Sequence, residues 1–478
     1  MLMRTNVNPD QEETGMSKKA RIEKDSMGEI EVPAEALWRA QTERARQNFH
    51  ISNLRFPART VSALAHIKAA AAQANADLDL LTEEQASAII KAADSIAHAP
   101  NLDQFPLDIF QTGSGTSTNM NMNEVLAEMV HRAKGPTVHP NDHVNCSQSS
   151  NDVIPTSIQV SCVLALHDEW LPAIVHLQRT IEEKAQSLED VVKTGRTHLM
   201  DAMPITMAQE LRAWSTQLHH CQLNINEVCE RLRALPQGGT AVGSGINAPQ
   251  AFRQQFCQHL SERTEQYFHP ATNAFAGISG QELSLQLAGA LNSCGAVLMK
   301  ISNDLRWMNS GPLAGLGEIE LKALQPGSSI MPGKVNPVIP EAVAMVAAHL
   351  AGSYQTVATA AQQGNFQLNV MLPLIAYHLI ESIEISANAM RSLADDAIAD
   401  FNVKHDRLEE ALARNPILVT ALNSVIGYNE AAKIAKRAYQ EQRPVIDVAE
   451  EMTDLSRAEL ETLLDPKQLT HGGIPGGD

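Results

Sequence analysis

Apolar residues recur at helical spacing over long stretches of this chain. From residue 211 onward, an unbroken 3-4-3-4 spacing places seven apolar side chains on one face of a helix. These are Leu211, Trp214, Leu218, Cys221, Ile225, Val228 and Leu232. At 1.5 Å of rise per residue, the pattern predicts a straight helix at least 33 Å long, about the size of a small domain.

Two further stretches predict helices of the same kind. The first carries a stripe of six apolar residues, and its other faces hold alanine and glycine instead of charge: Leu287, Leu291, Cys294, Leu298, Ile301 and Leu305. The second is PEAVAMVAAHLAGSYQTVATAAQQ, which begins at Pro340. Helices that are apolar or small all round are buried all round. Three of them predict an elongated helical bundle that packs against copies of itself, with a large monomeric bundle as the alternative.

The regions on either side of these long helices contain shorter helical patterns. Shorter helical patterns (TVSALAHIKAAAAQANADL, TEEQASAIIKAADSIAHA) precede the bundle, and amphipathic segments such as NEAAKIAKRAYQ follow it. We therefore predict an N-terminal domain over residues 21–155, a central helical-bundle domain over 156–407 and a C-terminal domain over 408–478. Residues 1–20 are expected to form a disordered tail, and Met16 is an alternative translation start.

Composition narrows the choice of partners. The 478 residues are 44% apolar and 19% charged, as in folded globular proteins. The net charge of −18 argues against nucleic acid and against anionic membranes, and it requires a locally positive site for any anionic substrate. Six scattered cysteines without a CxxC pair, no signal peptide and no long apolar run together predict a cytoplasmic protein.

Four stretches are unusually polar for a helical protein: GSGTSTNMNMNE from Gly113, HPNDHVNCSQSSND from His139, GRTHLMDAMP from Gly195 and GSSIMPGKVNP from Gly327. Their hydroxyl and carboxamide groups offer many hydrogen bonds with little charge, which suits a small polar ligand. Helix capping explains any one of them alone. Four such clusters, hundreds of residues apart, favour a ligand site built from distant segments.

Two other patterns are set aside. GSGINA, from Gly243, matches a dinucleotide fingerprint but follows a long helix without a βαβ unit. HPNDH, from His139, offers two histidines and an aspartate but no third spaced ligand, so a hydrogen-bonded turn is favoured over a metal. The sequence predicts neither a metal nor a cofactor.

The loop GSSIMPGKVNP resembles the signature loop of the fumarase/aspartase superfamily, and the other three clusters resemble conserved regions of its class II fumarases. The resemblance runs from Arg21 through most of the chain, with the motifs in the expected order. It implies a mainly α, three-domain fumarase/aspartase-like fold whose long central helices form a twenty-helix bundle in a homotetramer. It also implies active sites that are each shared between three subunits.

The activity implied by the resemblance is the reversible, metal-free hydration of fumarate to (S)-malate, a tricarboxylic acid cycle step. The matched catalytic residues are Ser328 as the base, His198 as the group that acts on water or the leaving hydroxyl, and Glu341 as the partner of that histidine. The matched substrate-binding residues are Ser114, Gly115, Thr116, Ser149, Ser150, Asn151, Thr197, Ser329, Lys334, Val335 and Asn336.

A second, non-catalytic dicarboxylate site of class II fumarases aligns with His139, Pro140, Asn141 and Asp142. The basic residue expected shortly before the histidine is absent at that spacing, where only Lys134 is near. A structured turn without a ligand is the alternative.

The resemblance leaves a choice of activity. Ser117 and Thr118 depart from many fumarases, and aspartases share the GTS start of this cluster. His198 stands where aspartases carry glutamine, and Gly333 stands where they carry alanine, so hydratase is favoured. Aspartate ammonia-lyase is the enzyme alternative, and a structural member of the superfamily that has lost catalysis is the other. Argininosuccinate and adenylosuccinate lyases are more distant.

Overall fold

The computed structural model describes residues 20–473. The expected disordered tail, apart from Ala20, and the alternative start at Met16 lie outside the described residues. Within the described residues the chain is mainly helical, which confirms the predicted fold class.

The α-helices are α1 (Ala40–Asn48), α2 (Ala58–Asp77), α3 (Glu83–His98), α4 (Thr116–Arg132), α5 (Ser150–Ala165), α6 (Leu171–Gln186), α7 (Met207–Leu232), α8 (Phe252–Thr264), α9 (Ala274–Ser279), α10 (Glu282–Met308), α11 (Val338–Ala361), α12 (Leu372–Leu393), α13 (His405–Ala413), α14 (Asn423–Ile426), α15 (Tyr428–Glu441), α16 (Val445–Met452), α17 (Arg457–Leu463) and α18 (Pro466–Leu469). Single π-helical turns occur at Pro140–Val144, Leu166–Trp170 and Ala394–Ile398.

Strands form only small two-stranded sheets in residues 20–473. The antiparallel pairs are β1 (Ala20–Asp25) with β2 (Gly28–Pro33), β3 (Val192–Thr197) with β4 (Met200–Thr206), β7 (Ile319–Glu320) with β10 (Asn402–Val403), and β8 (Gly364–Asn365) with β9 (Leu368–Asn369). The pair β5 (Ala234–Leu235) and β6 (His269–Pro270) is parallel. GSGINA lies in turns and bends between the two-residue strand β5 and α8 and borders neither of them directly, so it does not form the tight strand-to-helix turn of a dinucleotide site.

The chain divides into two compact units. The first comprises the residues up to Leu164 together with Leu232–Ser284 and Thr359–Ile380. The second comprises Ala165–Arg231, Leu285–Ala358 and the residues from Glu381 onward. In the first unit α2 is the central element, since α3, α4 and α8 all pack against it.

The apolar stripes predicted from the sequence are buried. All seven stripe residues of α7 and all six of α10 are at most 5% exposed, and α7 extends over 26 residues. The period of the apolar residues therefore identified these two helices and their buried faces correctly.

Helices α10 and α11 approach closely in the second unit, where small residues permit it. A side chain at Gly295 would lie 3.1 Å from Leu350, and one at Gly289 would lie 3.6 Å from Tyr354. Burial within one chain is nevertheless one-sided, because Met345 on α11 is 68% exposed and the neighbouring Ala348 is also exposed. The single chain therefore does not cover all faces of these helices.

The C-terminal helices have a core of their own. Buried residues from α15, α16 and α17 pack with Leu418 and Leu422 from the 3-10 turn at Pro416–Leu422. This cluster lies within the second compact unit, and its members start at Leu418. The exact domain boundaries stay a prediction.

One stretch, Ser150–Gln186, is long and apolar enough to cross a membrane by length and composition alone. Of its most apolar window, 61% is buried inside the fold, and core helices of globular proteins pass the same test. The stretch is therefore weak support for a membrane span.

Candidate active site

The loop from Gly327 to Pro337 places the hydroxyl of Ser328 under two backbone donors. The N–H groups of Ile330 and Met331 donate to Ser328 Oγ over 3.3 and 3.1 Å. Donors aimed at a hydroxyl oxygen stabilise that oxygen when it becomes negative. These two donors therefore stabilise an ionised Ser328 more than the same side chain would be stabilised without them.

Glycine, lysine and asparagine fix the rest of this loop. Asn336 Nδ2 donates to the carbonyl of Gly327 over 2.7 Å, and Lys334 Nζ donates to Asn336 Oδ1 over 2.7 Å. A side chain at Gly327 would collide with the backbone of Lys334. Gly333 adopts φ +82°, a left-handed conformation that glycine tolerates without strain.

Lys334, Val335, Asn336 and Pro337 line an open cavity of about 490 Å³ in the second unit. Glu341, in the first turn of α11, also faces it. The other wall is the end of α10 and the residues after it: Asn303, Arg306, Trp307, Asn309, Ser310 and Gly311. The cavity thus has two cations, Lys334 and Arg306, against one carboxylate, Glu341, and this excess of positive charge suits an anionic ligand.

His198 lies in a β-hairpin, an element the sequence reasoning did not predict. Strands β3 and β4 pair, and His198 and Leu199 form the two-residue turn between Thr197 and Met200. Both turn residues have positive φ, 55° and 60°, as a type I′ turn requires. A bulky residue such as leucine adopts this region at a cost of order 1 kcal/mol, so the hairpin holds an exposed histidine at a strained tip.

A buried charge cluster supports the hairpin from below. Lys193, 1% exposed, donates to Glu210 over 2.8 Å and lies 2.8 Å from Glu318. Arg196 Nη2 donates to Glu318 over 2.7 Å. Removing one partner would leave an uncompensated buried charge, so the cluster ties β3 firmly to the segment around residue 318.

The first unit holds the two hydroxyl-rich clusters. Ser114 Oγ and Thr116 Oγ1 are hydrogen-bonded over 2.8 Å at the N-terminus of α4, where Gly115 has φ +73°. A side chain at Gly115 would lie 2.9 Å from Ile154 of α5, so glycine lets the start of α4 approach α5 closely.

Ser149, Ser150 and Asn151 form the start of α5. Asn151 N–H donates to Ser149 Oγ over 3.2 Å, and Asn151 Nδ2 donates to the carbonyl of Ala241 over 2.9 Å. Ser150 Oγ accepts from Asn119 Nδ2 over 2.9 Å, which links this cluster to α4. The predicted residues of both clusters are thus neighbours in the first unit.

A buried aspartate stabilises the same turn. Asp152 is fully buried and accepts hydrogen bonds from the N–H groups of Ser149, Gly238 and Thr240 over 2.8 to 2.9 Å. Burial raises its pKa to about 6, although those three donors oppose the shift.

His139 caps the π-helical turn Pro140–Val144. Its Nδ1 accepts from the backbone N–H groups of Asn141 and Asp142 over 3.3 and 3.2 Å. The backbone N–H of His139 donates to His143 Nδ1 over 2.7 Å. The His139 and Asp142 side chains are 51% and 76% exposed, and Lys134 is also exposed. These bonds account for a structured turn, and the second dicarboxylate site stays a prediction. No group of three potential metal-binding side chains occurs among residues 20–473.

Sequence reasoning missed three kinds of residue near these clusters. Arg306 shares the cavity with Lys334. It lies near the end of α10, where the apolar stripe predicts a buried helix and gives no sign of a binding residue. Asn119 and Asn145 connect the hydroxyl clusters, and the many asparagines of GSGTSTNMNMNE and HPNDHVNCSQSSND were the available signal. Lys68 of α2 gave no signal, since a single lysine in an alanine-rich helix is typical of a solvent-exposed face.

Comparison with known proteins identifies the family of this chain. The Lyase family matches residues 28–352, and the family described as Fumarase C C-terminus matches residues 418–471. Fumarate hydratase class II 2 of Pseudomonas aeruginosa is 56% identical, over 95% of this chain and 99% of its own length. Fumarate hydratase class II of Xylella fastidiosa (strain Temecula1) is also 56% identical, over 96% of this chain and 97% of its own.

A solved structure has the same fold. The class II fumarase from Schistosoma mansoni superposes with a TM-score of 0.92 at 36% identity, covering 95% of this chain and 99% of that chain. The helical fold and the polar clusters thus define a lyase of the fumarase/aspartase superfamily. Within that superfamily, the chain belongs to the class II fumarate hydratase family.

Proposed function

We propose that this chain catalyses the reversible hydration of fumarate to (S)-malate, a tricarboxylic acid cycle step, without a metal or cofactor. The observation that carries the proposal is the match, over nearly the whole chain, to relatives named class II fumarate hydratase. Family membership leaves the roles of individual residues open, and for these the local geometry supplies the argument.

Ser328 is proposed as the base. In the malate-to-fumarate direction the base removes a proton from the carbon next to a carboxylate, and the charge spreads into that carboxylate as an aci-carboxylate. A serine can do this only as an alkoxide. The N–H donors of Ile330 and Met331 support that role because they already point at Ser328 Oγ. Closure of this exposed loop would exclude water while the carbanion exists.

His198 is proposed to protonate the leaving hydroxyl and, in the reverse direction, to activate the water. The exposed hairpin tip supports this role, since it leaves His198 accessible to a substrate. Glu341 is proposed as the carboxylate that orients the imidazole and raises its basicity.

Substrate carboxylates are proposed to bind the hydroxyl clusters and the cavity of the loop. Lys334 is the main cation, which gives the acidic chain a local positive site. The proposed set is Ser114, Gly115, Thr116, Ser149, Ser150, Asn151, Thr197, Ser329, Lys334, Val335 and Asn336. A further dicarboxylate site at His139, Pro140, Asn141 and Asp142 belongs to the proposal, with a ligand-free turn as its alternative.

The assembly is proposed to be a homotetramer in the cytoplasm, with each active site taking residues from three subunits. Incomplete burial of α11 within one chain supports an oligomer. The three-domain division at residues 21–155, 156–407 and 408–478 is part of the same proposal.

The assay that tests the activity compares fumarate, malate and aspartate side by side by absorbance, without added metal or ammonia. We expect turnover of fumarate and malate only. A tetramer inactive on both but active on aspartate would identify an aspartate ammonia-lyase instead, and one inactive on all three would identify a non-catalytic member. His198 and Gly333 favour the first outcome, as the sequence comparison with aspartases argued.

Variants test the roles. Ser328→Ala and His198→Asn are each expected to lower kcat by about 10²-fold or more with the oligomer intact, because each removes a proton-transfer group. Asparagine tolerates the left-handed conformation of residue 198, so the hairpin is preserved. Ser187→Ala and His167→Asn are the matched controls, since both residues lie on the exposed surface near α6. Near-normal turnover of Ser328→Ala would disprove the base assignment.

A further inference from the structure

The alanine-rich helix α2 carries a buried lysine and a buried asparagine. Lys68 and Asn75 are both 0% exposed. They are seven residues apart, about two helical turns, so they lie on the same face of α2. A buried lysine and a buried asparagine on one face are costly unless they have specific partners.

Both side chains bind one short loop, residues 145–148. Lys68 Nζ donates to Asn145 Oδ1 over 3.1 Å and to Gln148 Oε1 over 3.0 Å. Asn75 Nδ2 donates to the carbonyl of Cys146 over 3.0 Å, and its Oδ1 accepts from Ser147 Oγ over 2.7 Å. Four successive loop residues are thus held by two side chains of α2.

This loop needs such support because its backbone is not in a relaxed conformation. Ser147 has φ +59°, in the left-handed region that costs a serine of order 1 kcal/mol. The next residues along the chain, Ser149 to Asn151, are the proposed carboxylate-binding cluster. Where the loop lies therefore decides where those hydroxyls lie.

A second connection reaches the cluster through side chains alone. Asn145 Oδ1, which accepts from Lys68, also accepts from Asn119 Nδ2 over 3.1 Å. The same Asn119 nitrogen donates to Ser150 Oγ over 2.9 Å. An amide nitrogen has two hydrogens, so these two bonds use both and fix the orientation of Asn119.

The partners of Lys68 are all neutral. Among the described residues, no carboxylate forms an ion pair with it, and Asp152 acts on it only at longer range. Burial accordingly lowers the pKa of Lys68 to about 7. A hydrophobic residue at this position would avoid the desolvation cost, so stability alone does not account for the lysine.

We propose that Lys68 is a positioning residue for the carboxylate-binding hydroxyls. It holds the 145–148 loop together with Asn75, and through Asn145 and Asn119 it orients Ser150 Oγ toward the substrate. The inference rests on the proposed function of the Ser149–Asn151 cluster, and it adds a residue that does not itself touch substrate.

The primary test is Lys68→Met, which keeps the length of the side chain and removes the ammonium group. We expect KM for fumarate to rise about tenfold or more with a smaller change in kcat, because a displaced Ser150 weakens binding of ground state and transition state alike. Lys184→Met is the control. Lys184 donates to the carbonyls of Ala399 and Phe401, so its loss is expected to lower Tm without changing KM.

A double-mutant cycle with Ser150→Ala separates positioning from general destabilisation. If Lys68 acts through Ser150, Lys68→Met is expected to cost about twofold or less in kcat/KM once Ser150 is alanine. Additive losses, or an unchanged KM in Lys68→Met, would overturn the inference. If Lys68→Met does not assemble, Asn145→Ala removes the shared acceptor at a half-buried position and carries the same expectations.

A readout without substrate distinguishes this inference from the proposed function. Cys146 lies in the clamped loop and is only partly buried, whereas the other five cysteines are buried. Lys68→Met is expected to raise the rate at which a thiol reagent labels Cys146 about tenfold, with Cys146→Ser as the blank. Wild-type protein inactive on fumarate would refute the proposed function alone. An unchanged labelling rate would show that Lys68 does not hold the 145–148 loop, and it would refute the inference whatever the activity of the protein.

Discussion

Gly327 occupies a place in the loop where no side chain fits. Any Cβ there would collide with the backbone of Lys334 and approach the N–H of Asn336. The same glycine gives its carbonyl to Asn336 Nδ2, so the two ends of the loop close on each other at this point. The position of the proposed base, one residue further on, therefore depends on the absence of a side chain.

Gly327→Ala is expected to lower kcat about 10²-fold or more, because the loop must open to admit the methyl group and Ser328 is displaced. Stability should change little, since the loop is largely exposed. Gly333→Ala is the comparison. It meets no atom within 4 Å and adds only the strain of a left-handed residue, about 1 kcal/mol.

Steady-state kinetics and Tm of both variants check this expectation. An equal effect of the two substitutions on kcat would show that backbone strain, not the collision with Lys334, controls the loop.

At the scale of single elements, helices were predictable and the hairpin was not. The stripes of α7 and α10 stood out because their period persists over about five or six turns. GRTHLMDAMP has no Asn-Gly or Asp-Gly turn and little alternation, so nothing in it indicated β3, β4 or the type I′ turn that carries His198.

The candidate site was predictable only in part. The residues of the four clusters were selected because they are polar where the chain is otherwise apolar, and their roles stay predictions. Lys68 was not, since one lysine in an alanine-rich helix is typical of a solvent-exposed face. Lys68 is buried because α3, α4 and α8 pack around α2, and the sequence of α2 alone does not indicate this packing.

Lys68 of α2 and Asp152 of α5 give these elements an expected dependence of stability on pH. Burial lowers the pKa of Lys68 from its usual 10.5 to about 7. Between these values the unfolded chain binds more protons than the folded chain, so the contribution of Lys68 to stability increases with pH. It is fully present above pH 10.5 and is lost as the pH falls through 7.

Asp152 behaves in the opposite sense. Burial raises its pKa from 3.8 to about 6, so its contribution to stability is present below pH 4 and is lost as the pH rises through 6. Between about pH 6 and 7 both groups are charged and both penalties apply.

Thermal unfolding of wild type and Lys68→Met from pH 7 to 10 measures the lysine term. The stability of wild type relative to the variant is expected to increase steadily over this range. The exposed Lys91→Met serves as the control and should show a constant difference. A constant difference for Lys68→Met as well would mean that Lys68 keeps its usual pKa.

At the scale of the whole molecule, the proposal is that each site takes residues from more than one chain. The exposed Met345 and Ala348 on α11 leave an apolar helix face that a single chain does not cover. If sister subunits cover it, each active site can combine residues of different origin.

Mixing of inactive subunits tests this arrangement. At fumarate concentrations well below KM, Ser328→Ala and Ser150→Ala proteins are expected to have little activity alone and to regain a measurable fraction of wild-type activity when co-expressed. The gain arises because some sites in a mixed tetramer receive both wild-type residues. Light scattering after gel filtration checks the tetramer, and mixtures no more active than the parents would place both residues of a site on one chain.

The strained turn at the tip of the β3–β4 hairpin restricts how this chain can vary over evolution. Position 198 is restricted by its proposed chemistry, since the proton transfer proposed for His198 uses an imidazole. Position 199 is bound only by its left-handed backbone, with φ 60° and a side chain 63% exposed. Neutral drift at 199 should therefore favour glycine and asparagine and avoid valine and isoleucine. Positions 198 and 199 have the same backbone geometry, but selection would act on the side chain at 198 and on the backbone conformation at 199.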